Sequence, residues 1–260
     1  MVINPPSSLR PVVLVHGVGI GARSLDRLAA VLDRSGRRAV VLDRPGYRRT
    51  AGPAPIAAQA AWLITACGEV APLVDLIGVS GGATVALAAV CADPSGFGRV
   101  VLHEPLVGPL EPSLHASIAE SAAALAADPS TDELLAFVRR LVGNDTMEHL
   151  DAGVVDDLVR SQRTVRAEVP FFASFAPDAL ALAALVDADV ELVSTVGGAR
   201  QAPPRHAAAA VLERLAGAST IVLSGAGHLA QVDDPHALAE VLVGRRHAAP
   251  CGAAADGGAQ

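Results

Sequence analysis

The sequence predicts an α/β fold, a mostly parallel sheet of about six strands with helices on both faces. Hydrophobic residues make up 51% of the 260 positions, which is enough for a large core. Short uncharged runs rich in Val, Ile and Leu alternate with longer segments of helical periodicity. That alternation is typical of parallel sheets, whose strands are buried on both faces. Aromatic residues are only 3%, so Ala, Val and Leu must build the core.

Four strands are predicted in the first half of the chain, at residues 11–15, 38–43, 74–79 and 99–104. The segments between them carry helical patterns. In the first of these segments we expect Ser24 to cap a helix and Gly36 to end it. Further helices are predicted around residues 56–70 and from the small residues after position 80 through Ala92.

Residues 109–185 have a different character, because helical patterns dominate them. The stretch STDELLAFVRRLVG has Ser130 or Thr131 as its capping residue and Gly143 as its stop. We therefore expect this segment to be a helical insertion that acts as a lid.

Strand patterns return at residues 190–196 and 220–224, and a last helix is predicted to open at Asp234-Pro235. The predicted domain organisation has three parts: an α/β core at residues 1–108 and 186–246, the helical lid insertion at 109–185 and a flexible tail at 247–260.

Composition excludes several classes of function. The net charge is −7 with no basic stripe, so we expect no nucleic-acid partner. All 20 basic residues are arginines, which excludes chemistry that needs a lysine, such as Schiff-base formation or a P-loop. Neither Cys-x-x-Cys nor His-Glu-x-x-His occurs, so no metal site is expected.

Cysteine content and the absence of targeting patterns predict the cellular compartment. Three widely spaced cysteines, Cys67, Cys91 and Cys251, predict no disulfide framework and a reducing compartment. The N-terminus lacks the pattern of a signal peptide, and no apolar run is long enough to span a bilayer. We expect a cytoplasmic monomer or homodimer with a small-molecule substrate, no membrane contact and no cofactor.

The first glycine loop, HGVGIGA, supports two interpretations. Gly17, Gly19 and Ala22 match G-x-G-x-x-G/A, and Asp43 ends the next strand, as in a dinucleotide-binding oxidoreductase. However, the fingerprint needs its third small residue in the first turn of the helix, and here the helix is predicted to start only after Ser24. In addition, the sequence contains no Tyr/Lys pair for hydride-transfer chemistry. In the other interpretation the loop supplies an oxyanion hole.

Two later motifs favour that second interpretation. Ser80 stands in G-x-S-x-G between a predicted strand and a helix of small residues, where a sharp turn would expose its hydroxyl. His228 follows the last predicted strand, so it would lie at the same edge of the sheet.

Together the stretches VVLVHGVG, LDRPGYRRT, IGVSGG and LSGAGHLAQVDDP resemble the α/β-hydrolase family. The resemblance implies a Ser–His–acid triad with Ser80 as nucleophile and His228 as base. It also implies an oxyanion hole formed by the backbone N–H groups of Val18 and Gly81. The matched stretches lie in both halves of the chain and leave the helical middle and the tail unmatched.

The sequence departs from the family pattern twice. Only about ten residues precede the His-Gly strand, so the N-terminal hairpin of the family is expected to be missing. The loop after the strand at 190–196 carries Gln201 where the family commonly has its acid. An amide there cannot offset the imidazolium charge, and the analogous change in a serine protease lowers turnover about 10⁴-fold.

Some members of the family carry the acid after the strand that follows the nucleophile helix, and here that residue is Glu104. We assign Glu104 as the third member of the triad; its alternatives are a helix cap or an ion pair with an arginine. Its neighbour His103 should point to the other side of the strand, where we expect a structural role; the alternative is a role in the pocket.

The remaining candidates are weaker. Asp187 and Asp189 precede a strand and so lie at the wrong edge, and Asp233 and Asp234 have the pattern of helix caps. The stretch VPFFASF contains Phe171, Phe172 and Phe175, which either line an apolar substrate pocket or pack the lid onto the core.

The expected function is a serine hydrolase that cleaves a carboxylester, lactone or thioester of a small or medium apolar substrate through an acyl-enzyme. The first alternative is a binding protein on the same fold with little or no turnover. The second is the dinucleotide-binding oxidoreductase.

Overall fold

The computed structural model describes residues 10–48, 52–126, 128, 130–199 and 203–244. In it, six strands form one sheet in which every neighbouring pair is parallel: β1 (Val12–Val15), β2 (Ala39–Leu42), β3 (Val74–Val79), β4 (Phe97–His103), β5 (Glu191–Gly197) and β6 (Ser219–Leu223). Their order across the sheet is β2-β1-β3-β4-β5-β6. The predicted fold class is therefore confirmed. Residues 1–9, where a hairpin would precede β1, and the tail at 247–260 lie outside the described residues.

Helices connect the strands. In the described part of the chain they are α1 (Asp26–Arg34), α2 (Ile56–Val70), α3 (Gly81–Ala92), α4 (Pro112–Ala126), α5 (Thr131–Val142), α6 (Asn144–Glu148), α7 (Ala152–Arg160), α8 (Gln162–Ser174), α9 (Ala179–Ala184), α10 (Pro203–Ala216), α11 (Ala230–Asp233) and α12 (Pro235–Leu242). Six of these helices, α4 to α9, lie between β4 and β5, and α9 packs against α3 and α10.

The core has two halves, one on each face of the sheet. Along β1, Val13 and Val15 belong to the cluster that α2, α3 and α10 cover. Val12 and Leu14 belong to the opposite cluster, which α1 and α12 cover. Successive side chains of a strand point to opposite faces, so an uninterrupted apolar run fills both halves. A third cluster joins α5, α7 and α8.

Several predicted helix ends match the structure. Ser130 accepts a hydrogen bond from the Glu133 amide in a reciprocal capping box, and Gly143 follows α5. Asp234 accepts one from the Ala237 amide at the start of α12. Gly36 follows α1 with φ 81°, the left-handed conformation that glycine tolerates.

The predicted cap at Ser24 is wrong. Gly21 has φ 60° and leads into a 3₁₀ turn, Ala22–Leu25, ahead of α1. The Ser24 hydroxyl donates to the Gly21 carbonyl instead of accepting from the helix.

Cys67 and Cys91 are free thiols, and Cys251 lies outside the described residues. Within the described ranges, no helix is long and apolar enough to cross a bilayer.

Candidate active site

Ser80 occupies a strained turn between β3 and α3. Its φ of 54° and ψ of −122° are unfavourable for a residue with a side chain. The surrounding hydrogen bonds hold this conformation: the Ser80 amide donates to the His103 carbonyl on β4 at 2.8 Å, and the Ser80 carbonyl accepts from the Thr84 amide at 3.1 Å. The turn lifts the side chain out of the sheet and into a cavity that Ser80 helps to line.

Glycines make this turn possible by letting the backbone segments approach closely. A Cβ on Gly78 would lie 2.6 Å from the Ala83 Cα, and one on Gly82 would collide with the carbonyl oxygens of Val15 and His16. The G-x-S-x-G pattern therefore follows from packing of β1 and β3 against the first turn of α3.

Glu104 and His228 form a buried pair at the same edge of the sheet. The Glu104 Oε2 lies 2.6 Å from Nδ1 of His228, and Oε1 accepts a hydrogen bond of 2.9 Å from the Gly197 amide. Glu104 also has a strained backbone, with φ 48°. The tautomer with its proton on Nδ1 donates to this carboxylate and leaves Nε2 able to accept a proton.

Arg205, at the start of α10, joins this pair and was not anticipated. Its Nη1 lies 2.7 Å from the Glu104 Oε2 and 2.5 Å from Nδ1 of His228. Glu104 therefore fits both its predicted role and its alternative, an ion pair with an arginine. No motif pointed to Arg205, because it lies 101 positions from Glu104 in a helix with ordinary surface composition.

These contacts shift both pKa values. Burial alone would raise the pKa of Glu104, but the Arg205 guanidinium and the hydrogen bond with His228 outweigh it and hold the pKa well below its usual range. Burial and the charge of Arg205 lower the pKa of His228 to about 4, against the opposing effect of Glu104. At neutral pH the pair is a carboxylate and a neutral imidazole.

The loop that carries His228 is held through its preceding residue, Gly227. The Gly227 carbonyl accepts from Nε2 of His103 at 3.0 Å, and Nδ1 of the same ring accepts from the Thr195 hydroxyl. The Gly227 amide donates to Asp233 at 2.8 Å. His103 thus has the predicted structural role. The prediction that Asp233 caps a helix is wrong, since its carboxylate orients the histidine loop.

The two predicted oxyanion donors flank Ser80. A Cβ on Gly17 would lie 3.2 Å from the Ser80 Cβ, and a Cβ on Gly81 would lie 2.7 Å from the Val18 side chain. Within the described chain, neither the Val18 amide nor the Gly81 amide has a hydrogen-bond acceptor. The oxyanion hole at these two amides stays a prediction.

The cavity around Ser80 and His228 is mainly apolar. Its walls come from the first glycine loop and the helices between β4 and β5, with Leu114, Ile118, Leu134, Val138, Val165 and Val169 among the lining side chains. Phe172 lines the cavity, whereas Phe171 and Phe175 are half-buried and pack against the core cluster beside α3. Arg205 is the one permanently charged side chain among the described lining residues.

The same helices cover the loop that resembles a dinucleotide fingerprint. A Cβ on Gly19 would contact Leu158 at 3.1 Å and Val165 at 3.3 Å. Asp43, the candidate ribose-binding acid, accepts a hydrogen bond from the Ala22 amide at 3.3 Å. Its carboxylate is therefore bonded to the glycine loop.

Among the described residues, no cluster of three or more His, Cys, Asp or Glu side chains is arranged to hold a metal ion. Gln201 lies outside the described residues.

Comparison with known proteins gives one family. The family model described as "Alpha/beta hydrolase family" matches residues 12–241 of this chain. No matching relative was found among curated proteins.

Solved structures of hydrolases share the fold at low sequence identity. A hydrolase from Pseudomonas aeruginosa PA01 has a TM-score of 0.70 at 19% identity, covering 90% of each chain. A thermophilic esterase from Thermogutta terrifontis has a TM-score of 0.69 at 20% identity, covering 91% of this chain and 89% of that one. The carboxylesterase CesB from Bacillus subtilis has a TM-score of 0.68 at 14% identity, with coverages of 92% and 84%.

Proposed function

This chain belongs to the α/β-hydrolase family, and on that premise we propose that it is a serine hydrolase that cleaves an ester-like bond through an acyl-enzyme. One observation carries the proposal: the hydrogen bond of 2.6 Å between Glu104 and His228, beside the cavity that Ser80 lines. A carboxylate, an imidazole and a serine on three strand ends are the parts that acyl transfer requires.

In the first step His228 takes the proton of the Ser80 hydroxyl on Nε2 while the serine oxygen attacks the substrate carbonyl. The imidazolium that forms is stabilised by the ionised Glu104 at Nδ1. The carbonyl oxygen becomes an oxyanion and accepts hydrogen bonds from the amides of Val18 and Gly81. When the tetrahedral intermediate collapses, His228 returns the proton to the leaving alcohol or thiol.

In the second step a water molecule replaces the leaving group. His228 removes a proton from the water, which attacks the acyl carbon, and the oxyanion forms again at the same two amides. Collapse of this intermediate breaks the bond to the Ser80 oxygen, and His228 gives that oxygen its proton. The reaction releases a carboxylic acid and needs only groups of this chain and water.

The cavity supports an apolar substrate, a carboxylester, lactone or thioester of small or medium size. Its lining near the helices is aliphatic, so burial of a hydrocarbon group there would contribute about 25 cal/mol per Å² to binding. Phe172 contributes the one aromatic face from the stretch VPFFASF, while Phe171 and Phe175 pack against the core cluster.

The test is covalent labelling with a fluorophosphonate, followed by a panel of p-nitrophenyl esters, lactones and thioesters. We expect the wild type to be labelled on Ser80 and to turn over at least one substrate class. Ser80→Ala should lose both properties, while Ser117→Ala, which changes another serine of the cavity wall, should keep them. A folded wild type that is neither labelled nor active would contradict the proposal and favour a binding protein.

A further inference from the structure

The peptide unit between Gly17 and Val18 is held by two side chains. Its carbonyl oxygen, on Gly17, lies 3.0 Å from Nη2 of Arg44 and 2.8 Å from Nδ1 of His16. The His16 ring accepts from the Arg44 amide at Nε2, so Nδ1 carries the proton and donates to this carbonyl. The N–H group of the same peptide unit is the Val18 amide.

Arg44 reaches this position from the interior. Its side chain is fully buried and forms a two-pronged ion pair with Glu168 on α8, at 3.0 and 3.2 Å. It also donates to the carbonyl of His16 at 2.9 Å and to the Gln59 side chain at 2.8 Å. The guanidinium is therefore fixed in place by groups on three separate segments of the chain.

The next peptide unit is tied to the same cluster. The Gly19 amide donates to the Tyr47 hydroxyl at 2.6 Å, and that hydroxyl donates to the Glu168 carboxylate. Val18 therefore lies between two held groups: Arg44 holds the Gly17 carbonyl before it, and Tyr47 holds the Gly19 amide after it.

We propose that Arg44 is a positioning residue of the oxyanion hole, which aims and strengthens the Val18 N–H donor. A trans peptide is planar, so its C=O and N–H point in opposite directions, and anchoring the Gly17 oxygen on the interior side turns the Val18 N–H away from it. This inference rests on the proposed function.

The charge on Arg44 also strengthens the donor. The carbonyl and N–H of one peptide belong to a single conjugated unit, so a cationic donor on the oxygen makes the amide hydrogen more positive. The site is buried, so water screens the effect little. The gain is realised when the substrate oxygen becomes charged, which lowers the barrier more than it improves substrate binding.

A purely structural role for the ion pair predicts something different. It would tie α8 to the core and contribute to stability, and its loss would leave the kinetics of a folded protein unchanged. The test must therefore separate stability from transition-state binding. The informative variant is Arg44→Gln with Glu168→Gln, which removes both charges together so that neither is left buried alone.

The matched control is a second buried arginine–carboxylate pair. Nη2 of Arg37 lies 2.6 Å from Oδ2 of Asp75, and both side chains are almost fully buried. Asp75 is at the other end of β3, five residues or about 16 Å from Ser80. Arg37→Gln with Asp75→Asn should lower stability and leave kcat and KM unchanged.

The readouts are kcat and KM on a p-nitrophenyl ester and the inhibition constant of a trifluoromethyl ketone, whose adduct with Ser80 carries an oxyanion. For the Arg44/Glu168 double variant we expect kcat to fall about 10- to 100-fold, below the roughly 10²- to 10³-fold cost of deleting a whole oxyanion donor. KM should stay within about threefold, and the inhibition constant should rise in parallel with the loss of kcat.

A folded double variant with wild-type kcat and inhibition constant would overturn the proposal. If that variant does not fold, Tyr47→Phe decides, because it keeps the ion pair and removes the hydroxyl that accepts from the Gly19 amide and from Arg44 and donates to Glu168. We expect it to lower kcat severalfold at constant KM, and unchanged kinetics would again overturn the proposal. Failure of the proposed function looks different, since the wild type itself would then show neither turnover nor labelling.

Discussion

Glu104 reaches His228 across an intervening strand. Glu104 follows β4 and His228 follows β6, while β5 lies between them in the sheet, yet Oε2 and Nδ1 are 2.6 Å apart. The end of β5 makes this possible: Gly197 has no side chain in the way, and its amide donates to Oε1 of Glu104. The contact between the acid and the base therefore depends on a glycine that belongs to neither segment.

Replacing that glycine should separate the pair. A Cβ on Gly197 would lie 2.8 Å from backbone atoms of Ala226 and Gly227, so Gly197→Ala must displace the histidine loop. We expect kcat to fall at least tenfold and the free energy of unfolding to drop by about 1–3 kcal/mol. Urea denaturation and ester kinetics measure both effects.

The control is Gly68→Ala, in the last turn of α2, where a new Cβ would meet no atom within 4 Å. It should stabilise the protein by about 0.5–1 kcal/mol and leave kcat unchanged. Equal kcat values for Gly197→Ala and Gly68→Ala would contradict this account, because turnover would then not depend on the position of the His228 loop.

The pH profile of kcat/KM should have an unusually low acidic limb. The base must be neutral to accept a proton, and burial with the charge of Arg205 lowers the pKa of His228 to about 4. We expect kcat/KM to be constant above about pH 5 and to fall tenfold per pH unit below about pH 4, where the imidazole is protonated. The profile is measured as kcat/KM at a series of pH values, with an ester whose uncatalysed hydrolysis is slow throughout. A midpoint near pH 6.5 would contradict the contacts that the structure gives to His228.

Arg205→Gln should move that limb upward. Loss of the guanidinium removes a positive charge beside Nδ1 of His228, so the imidazolium becomes easier to form and the pKa of His228 rises. We expect lower activity at pH 5 relative to pH 8 than in the wild type, whereas Arg205→Lys keeps the charge and should keep the profile. An unchanged midpoint in Arg205→Gln would mean that the guanidinium does not act on the base.

The cavity should set the length of the acyl group. Val138 on α5 lines the cavity, and Val138→Phe would fill part of it. We expect KM for octanoate and longer p-nitrophenyl esters to rise at least fivefold relative to the wild type, with the acetate ester unaffected. Leu180→Phe changes an exposed residue away from the cavity and serves as the control. A uniform change for all chain lengths would place the acyl group elsewhere.

The strand ends were predictable because apolar runs stop at polar residues, which indicated one edge of the sheet. The G-x-S-x-G motif and the resemblance to the α/β-hydrolase family then selected Ser80, Glu104 and His228 at that edge. What the sequence did not reveal are contacts between distant segments. Arg205 stands on α10 with no motif around it, and Asp233 has the pattern of a cap but binds the Gly227 amide.

Local geometry explains the other differences. The positive φ of Gly21 starts a 3₁₀ turn before α1, which the helical periodicity after Ser24 did not indicate. Of the three phenylalanines near the end of α8, the direction of the helix face decides that Phe172 meets the cavity. On the same helix, Glu168 contacts the distant Arg44, which no sequence pattern indicated.

The most direct test of the assigned acid compares ester turnover of Glu104→Gln and Gln201→Ala, with folding of each variant checked by its melting curve. We expect Glu104→Gln to lower kcat about 10³- to 10⁴-fold, since an amide cannot balance the imidazolium charge, and Gln201→Ala to stay within about threefold of the wild type. The reverse ranking in folded proteins would contradict the assignment of Glu104.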